Sequence, residues 1–225
     1  MTITELRKCR GRLYRLVLDG EPAVTVDVRT FEESPYRVGS SLSVEELEAL
    51  LDESARRRAR EKAVDLLSRR DHSRRGLEEK LRREAGAAIA AQTAQQMEER
   101  GYIDDERYAR RLAQNLTERK LYPRRRAVQE LCARGIEREL AARAVEETGK
   151  DDLEKALELI EKKQYNRLQD EKGRRKTEAA LARYGFDRAT IRRAMAQSGP
   201  WTEEGPGFAE SEAAPDDGFS GGEWD

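Results

Sequence analysis

The first thirty residues contain three short runs of alternating or β-branched residues, at positions 2–6, 12–18 and 23–28. Asp19 and Gly20 separate the last two runs. An Asp-Gly pair at such a place favours a hairpin, because both turn residues must accept a positive φ. We therefore predict a small β-hairpin or three-stranded sheet at the N-terminus. Ser43 and Glu46 then match a capping box, which predicts the start of a helix.

From residue 55 onward, apolar residues recur at helical spacing, and one combination of residues occurs three times. Leu81, Leu131 and Leu181 are separated by 50 residues, and a pair of arginines stands at the same distance before each leucine. A glycine follows close behind each leucine, as expected where a helix ends. The arginine pairs are Arg74-Arg75, Arg124-Arg125 and Arg174-Arg175, and the glycines are Gly86, Gly135 and Gly185.

This repetition predicts a mostly α fold of tandem three-helix repeats, solenoid-like, in which each repeat has a first helix, an Arg-rich helix ending in glycine, and a short third helix. We expect a β-rich N-terminal domain ending in a helix at residues 1–54. Repeats 1, 2 and 3 are then expected at residues 55–101, 102–148 and 149–199. Residues 200–225 are rich in Gly, Pro, Ser and acids, and we expect them to form a disordered acidic tail.

Between two of the predicted repeats, the segment 101–109 has a structural interpretation. Gly101 is expected to end one helix, and Asp104 or Asp105 to cap the next. Tyr102 and Ile103 are expected to pack the connection onto the core.

The charged residues are distributed unevenly along the chain. They make up 40% of all residues, whereas aromatic residues make up 6%, and the formal net charge is −1. The eight acids of residues 200–225 are accompanied by no base, so that residues 1–199 hold 44 bases against 37 acids and carry a net charge of +7. A basic body predicts a polyanionic partner or an acidic protein surface. The alternative is a solvated surface on which arginines pair with neighbouring acids at helical spacing.

The sequence contains no recognisable catalytic constellation. His72 is its one histidine, and we interpret it as a polar turn residue, while Cys9 and Cys132 lie far apart and have no metal-ligand spacing. Glycine-rich phosphate loops and nucleophile motifs are missing as well. We therefore expect no enzyme activity, no cofactor and no metal. We also expect a cytoplasmic monomer. No apolar run is long enough to span a bilayer, so we expect no membrane contact.

The candidate binding residues are the arginines of the repeated pairs and their neighbours, since arginine favours bidentate contacts with carboxylate or phosphate. They are Arg69, Arg70, Arg74, Arg75, Arg124, Arg125, Arg126, Arg174 and Arg175.

Four segments of the chain resemble a known family. They resemble, in chain order, the motifs of the RecX regulatory proteins. The segments are the runs 66–81, 101–109, 124–136 and 181–186, the last together with Ile191. The resemblance covers roughly residues 60–197, and the N-terminal sheet is similar to a leading domain that many members carry. The chain departs from the family pattern at Tyr122, where a glycine usually precedes Pro123, and in the shortened stretch around Gly86.

The resemblance implies a modulator, usually an inhibitor, of the RecA recombinase, with roles in DNA repair, recombination and the SOS response. Family members lie in the groove of the RecA filament on DNA and suppress its ATPase, strand-exchange and co-protease activities. Two alternatives remain open from the residues alone. One is a direct, largely non-specific binder of single- or double-stranded DNA, in which the arginine pairs hold phosphates. The other is a helical scaffold whose charges serve only its surface.

Overall fold

The computed structural model describes residues 1–164, 168 and 171–198. The fold is mostly helical, and a small antiparallel sheet precedes the helices, as predicted. The predicted acidic tail lies outside the described residues. Within them, no helix is both long and apolar enough to cross a membrane.

The sheet contains three strands in the order β1-β2-β3, each antiparallel to the next. Asp19 and Gly20 adopt φ angles of 51° and 90° in the tight turn between the second and third strands, which confirms the predicted hairpin. The strands are β1 (Ile3–Cys9), β2 (Leu13–Leu18) and β3 (Glu21–Asp27).

A short helix that the sequence pattern does not predict follows the sheet directly. The third predicted run extends to residue 28, but the chain enters helix α1 (Val28–Glu33) at that residue. Asp27 ends the strand because its carboxylate accepts a 3.0 Å hydrogen bond from the Thr30 amide and so caps the new helix. Phe31 on this helix is buried against the sheet.

Helix α2 (Val44–Arg69) begins at the predicted capping box of Ser43 and Glu46 and runs without interruption through residues 54 and 55. Its first half contributes Leu47 and Leu50 to the core beneath the sheet. Its second half contributes Ala63 to the core of the first repeat. One helix therefore connects the N-terminal domain rigidly to the first repeat.

Three units of three helical segments follow the sheet. The first repeat consists of the second half of α2 and of α3 (Arg74–Glu99), which Gly86 divides in two through its φ of 77°. In the later repeats the first helix ends in a π-helical turn, at Asn115–Arg119 and at Ile160–Gln164. The helices of those repeats are α4 (Asp105–Gln114), α5 (Arg124–Ala133), α6 (Arg138–Glu146), α7 (Asp152–Leu159), α8 (Glu171–Tyr184) and α9 (Arg188–Gln197).

The register of 50 residues is confirmed in the packing of the cores. Leu81, Leu131 and Leu181 are each completely buried, and each lies in the apolar cluster of a different repeat. Gly135 and Gly185 have φ angles of 87° and 101°, which residues with a Cβ rarely adopt. They allow the chain to leave the second helix and start the third.

The connection between the first two repeats differs in part from the prediction. Gly101 ends α3 with a φ of 75°, and Ile103 is buried in the core of the first repeat, both as expected. Tyr102, in contrast, is 61% exposed, so the prediction that it packs on the core is wrong. The turn at Gly101 directs only one of the two adjacent side chains inward.

Candidate partner-binding surface

The repeats meet at two places that are built in the same way. We define the first joint as the contact of the start of α3 with the start of α4 and the end of α5. The second joint is the contact of the start of α5 with the start of α7 and the end of α8. At the first joint the Arg74 amide donates a 2.9 Å hydrogen bond to Asp105, and at the second the Arg124 amide donates one of the same length to Asp152.

Each of these carboxylates is the second member of an Asp-Asp pair whose first member caps its own helix. Asp104 accepts a hydrogen bond from the Arg107 amide at the start of α4, which settles the predicted choice of cap in its favour. Asp105 is thereby free to reach across the joint. Burial raises the pKa of its carboxyl, and the hydrogen bond from Arg74 opposes that shift. Asp151 caps α7 in the same way.

At the first joint the two backbones are in close contact. The Ser73 hydroxyl donates to the carbonyl of Arg134 at the end of α5 and accepts a 3.0 Å hydrogen bond from the Gly76 amide. A Cβ added to Gly135 would lie only 2.9 Å from the Gly76 nitrogen. Glycine at both positions therefore permits this approach.

At the second joint, side chains replace this backbone contact. Arg126, which is 50 residues after Gly76, donates a 3.0 Å hydrogen bond to the Tyr184 carbonyl at the end of α8. Its guanidinium lies 3.9 Å from the centre of the Tyr122 ring, and the Tyr122 and Tyr184 rings meet edge to face at 5.9 Å. Tyr122, the residue that departs from the family pattern, thus has a structural role in this joint.

Because side chains take the place of the close backbone contact, a groove remains at the second joint, which we call the α5–α8 groove. It has a volume of 610 Å³, and a Cβ added to Gly185 would find its nearest neighbour at 3.5 Å. Arginine and apolar side chains line it together, and one acid, Glu130, is part of the lining. The arginines are Arg125, Arg126 and Arg183, and the apolar residues are Ala133, Ala182 and Phe186.

Six of the nine predicted binding arginines have partners within the protein. Four form ion pairs, namely Arg69 with Asp65, Arg74 with Glu98, Arg124 with Glu146, and Arg175 with Glu171. Two donate to backbone carbonyls, namely Arg126 to Tyr184 and Arg174 to Met195. The pairs with Asp65 and Glu171 are local, whereas those with Glu98 and Glu146 tie the second helix of a repeat to its third.

Arg70, Arg75 and Arg125 differ from the other six. All three are exposed, and none has an ion pair or a side-chain hydrogen bond with the part of the chain that the structure describes. Arg75 and Arg125 occupy the same position in successive repeats, one residue after the amide that Asp105 or Asp152 binds. Among the residues that the structure describes, each joint therefore presents an exposed guanidinium without an ion pair.

The helix starts beside these arginines are already occupied by acceptors. Asp105 and Ser73 bind amides of the first turn of α3, and Asp152 binds the first amide of α5. The first turn of a helix attracts anions through such free amides. A phosphate at these places would have to displace the protein's own carboxylates.

His72 lies in the connection between α2 and α3, as the sequence pattern predicts for a turn residue, but it is buried. It is 8% exposed and occupies the position equivalent to Tyr122 beside the first joint, and its Nε2 has no hydrogen-bond partner among the described residues. Burial, with the nearby positive charges of Arg70 and Lys80, lowers its pKa to about 4. The ring is therefore neutral near pH 7. Among the described residues, no group of three or more His, Cys, Asp or Glu side chains is arranged to hold a metal ion.

Family models match two parts of the chain. The model for the second three-helix domain of RecX matches residues 104–145, which contain α4, α5 and all but the last residue of α6. The model for the third matches residues 150–195, which contain α7, α8 and all but the last two residues of α9. The regulatory protein RecX of Stenotrophomonas maltophilia is 36% identical over 137 residues, which are 60% of this chain and 83% of the relative. The chain belongs to the RecX family.

Other RecX proteins extend the similarity to the N-terminal domain. The regulatory protein RecX of Caldanaerobacter subterraneus is 26% identical over 87% of this chain and 98% of its own length. A crystal structure of a regulatory protein RecX shares the fold with a TM-score of 0.56 at 19% identity, covering 87% of this chain and 98% of its own. The RecX structure from Lactobacillus salivarius has a TM-score of 0.54 and covers 64% of this chain and 96% of its own.

The sequence reasoning missed the residues that build the joints. Asp105 and Asp152 could have been suspected from the repeated Asp-Asp pairs at 104–105 and 151–152. At the register position of Arg183 the first repeat has Arg83 but the second has Ala133, so the repeat pattern alone did not single out Arg183 for the groove.

Proposed function

We propose that this RecX-family chain is a non-catalytic regulator that binds the RecA filament on DNA and inhibits its ATPase, recombinase and co-protease activities. The observation that carries the proposal is the equivalent position of Arg75 and Arg125, both exposed and unpaired, at the two joints. The relatives named regulatory protein RecX support the regulatory role.

Tandem repeats suit a partner that is itself periodic. Equivalent residues in successive repeats can meet equivalent residues of successive protomers in a filament. Each contact between an exposed guanidinium and an acid is weak, but contacts within one rigid array reinforce each other through a high effective concentration. We place Arg70, Arg75 and Arg125 at the centre of this surface. The other six predicted arginines, which have partners within the protein, lie around this centre. They are Arg69, Arg74, Arg124, Arg126, Arg174 and Arg175.

Direct binding of bare DNA is the competing function. The net charge of +7 in residues 1–199 favours it. Two features of the described part of the chain count against it as the main role. The starts of α3 and α5 already bind carboxylates, and Tyr102 is the one strongly exposed aromatic side chain there. Single-strand binders usually stack bases on several aromatic rings.

The proposal is tested by the single-strand-dependent ATPase of RecA at near-physiological salt, with and without the full-length chain. We expect inhibition, and we expect the double variant Arg75→Glu/Arg125→Glu to lose it. The matched control is Arg107→Glu/Arg143→Glu, which changes the net charge equally at two exposed arginines on α4 and α6. Circular dichroism melts establish that both variants are folded.

Inhibition by the Arg75/Arg125 variant equal to that of the unmodified chain would reject the proposed surface. A parallel measurement of binding to bare DNA at the same salt separates the two functions. Loss of bare-DNA binding in step with loss of inhibition, at every salt concentration, would favour direct DNA binding over filament binding.

A further inference from the structure

The α5–α8 groove has a chemistry that neither joint needs for its own packing. Arg125 and Arg183 are exposed, and neither has an ion pair within the described residues. Ala133, Ala182 and the largely buried Phe186 line the same groove. A ligand that complements this groove would combine carboxylates with aromatic or aliphatic side chains.

Residues 200–225 of this chain have that composition. They contain eight acids, no base, and four aromatic residues distributed along the segment, namely Trp201, Phe208, Phe219 and Trp224. The groove contributes guanidinium groups, which bind carboxylates and stack on aromatic rings, together with a small apolar surface. The two are complementary in both respects.

The segment begins within reach of the groove. Phe186, which lines the groove, directly precedes the cap of α9, and α9 (Arg188–Gln197) has ten residues, so that Gln197 lies about 15 Å further along the helix. An extended chain covers about 3.3–3.6 Å per residue. About five residues after α9 are therefore enough to return to the groove, and they leave most of the acids and aromatics to fill it.

Another basic depression in the described residues fits less well. It lies on α8 and is lined by Lys172, Arg175 and Lys176, with Ala179 as its apolar part. Glu171 lines it too and already pairs with Arg175 at 2.7 Å. The one guanidinium of this depression is therefore already engaged, whereas Arg125 and Arg183 of the α5–α8 groove have no ion pair among the described residues.

We propose that residues 200–225 bind in cis to the α5–α8 groove and cover Arg125. The C-terminal segment would then compete with any acidic partner for the same guanidinium groups. Because the contact combines exposed charges, salt weakens it. The inference concerns the isolated chain and is independent of whether the partner is RecA.

The chain carries its own probe for this contact, because its only two tryptophans, Trp201 and Trp224, lie in the segment. We suggest measuring acrylamide quenching of tryptophan fluorescence in the full-length protein at low and high salt. The expected Stern–Volmer constant at ~20 mM salt is about half of that at ~500 mM, where the Debye length is much shorter. In Arg125→Glu/Arg183→Glu the low-salt constant should rise to the high-salt value.

The Arg107→Glu/Arg143→Glu variant again serves as the control, since it has the same net charge but an unchanged groove, and it should keep the low-salt protection. Equal quenching of the unmodified chain at both salt concentrations overturns the proposal. So does protection that survives in the Arg125/Arg183 variant, which would place the segment elsewhere. Protection that disappears on tenfold dilution of the protein shows contact between copies and also overturns binding in cis.

Discussion

The Arg124 amide and the Asp152 carboxylate are joined by a 2.9 Å hydrogen bond that connects the second repeat to the third. The same carboxylate lies 3.2 Å from the ammonium group of Lys155, which is completely buried. At the first joint Asp105 binds the Arg74 amide in the same way, but Tyr108 stands where Lys155 stands in the second. The two joints therefore share one hydrogen bond and differ in a buried charge.

The two aspartates should consequently differ in their contributions to stability. Asp105→Ala removes the hydrogen bond to the Arg74 amide at the start of α3 and should cost about 1–2 kcal/mol. Asp152→Ala also leaves Lys155 buried without a counter-charge, and should cost about 3–5 kcal/mol. Urea denaturation of the full-length variants gives both values. Adding Lys155→Met to Asp152→Ala should recover a large part of the loss, and equal losses for the two single variants would contradict the assignment.

Three of the glycines with positive φ angles offer a graded test of joint packing. Gly101, Gly135 and Gly185 have similar φ angles, so replacement by alanine strains the backbone in each by about 1 kcal/mol. A Cβ meets nothing within 4 Å at Gly101 and ordinary contacts at Gly185, but it collides with Ser73 and Gly76 at Gly135. Thermal denaturation should therefore rank Gly135→Ala as the least stable of the three variants by a clear margin. Three equal melting temperatures would mean that the first joint is not closely packed.

His72 should make the stability of the protein depend on pH. Its folded pKa of about 4 is below its unfolded value of 6.5, so the native state favours the neutral ring. This contribution is fully present above pH 6.5 and is lost as the pH falls towards 4, with a limit of about 3 kcal/mol. The raised pKa of Asp105 acts in the opposite direction. The difference in unfolding free energy between the unmodified chain and His72→Phe isolates the histidine, since Asp105 is present in both. Parallel stability curves between pH 7 and pH 4 would exclude this role.

Neighbouring arginines at the second joint should separate structure from binding. Arg126→Ala loses a hydrogen bond to the Tyr184 carbonyl and a cation–π contact with Tyr122, which together should cost about 1–2 kcal/mol. Arg125→Ala removes an exposed side chain without an ion pair in the described structure, and should change stability by less than about 0.5 kcal/mol. Denaturant melts measure both. A stability loss at Arg125 as large as that at Arg126 would show that Arg125 has a structural role as well.

The sequence by itself determined the elements and their repetition. Asp19-Gly20 specified the hairpin turn, Ser43 and Glu46 specified the start of α2, and the leucines at 50-residue spacing marked three equivalent cores. Such features are readable because turns, caps and amphipathic faces depend on residues within a few positions of each other. The same local reasoning failed at α1, where the cap formed by Asp27 ended a run that alternates like a strand.

Only the tertiary structure decided which members of the repeated arginine pairs have partners. Arg74 and Arg124 pair with glutamates 24 and 22 residues further along the chain, on the third helical segment of each repeat, while the adjacent Arg75 and Arg125 have no ion pair in the described structure. Spacing within one helix does not encode these contacts, because they depend on the angle at which three helices pack. The burial of His72 and the opening of the α5–α8 groove depend in turn on how one repeat stacks on the next. The two joints differ at one position of the register, glycine at 76 and arginine at 126, because the two residues meet different parts of the neighbouring repeat.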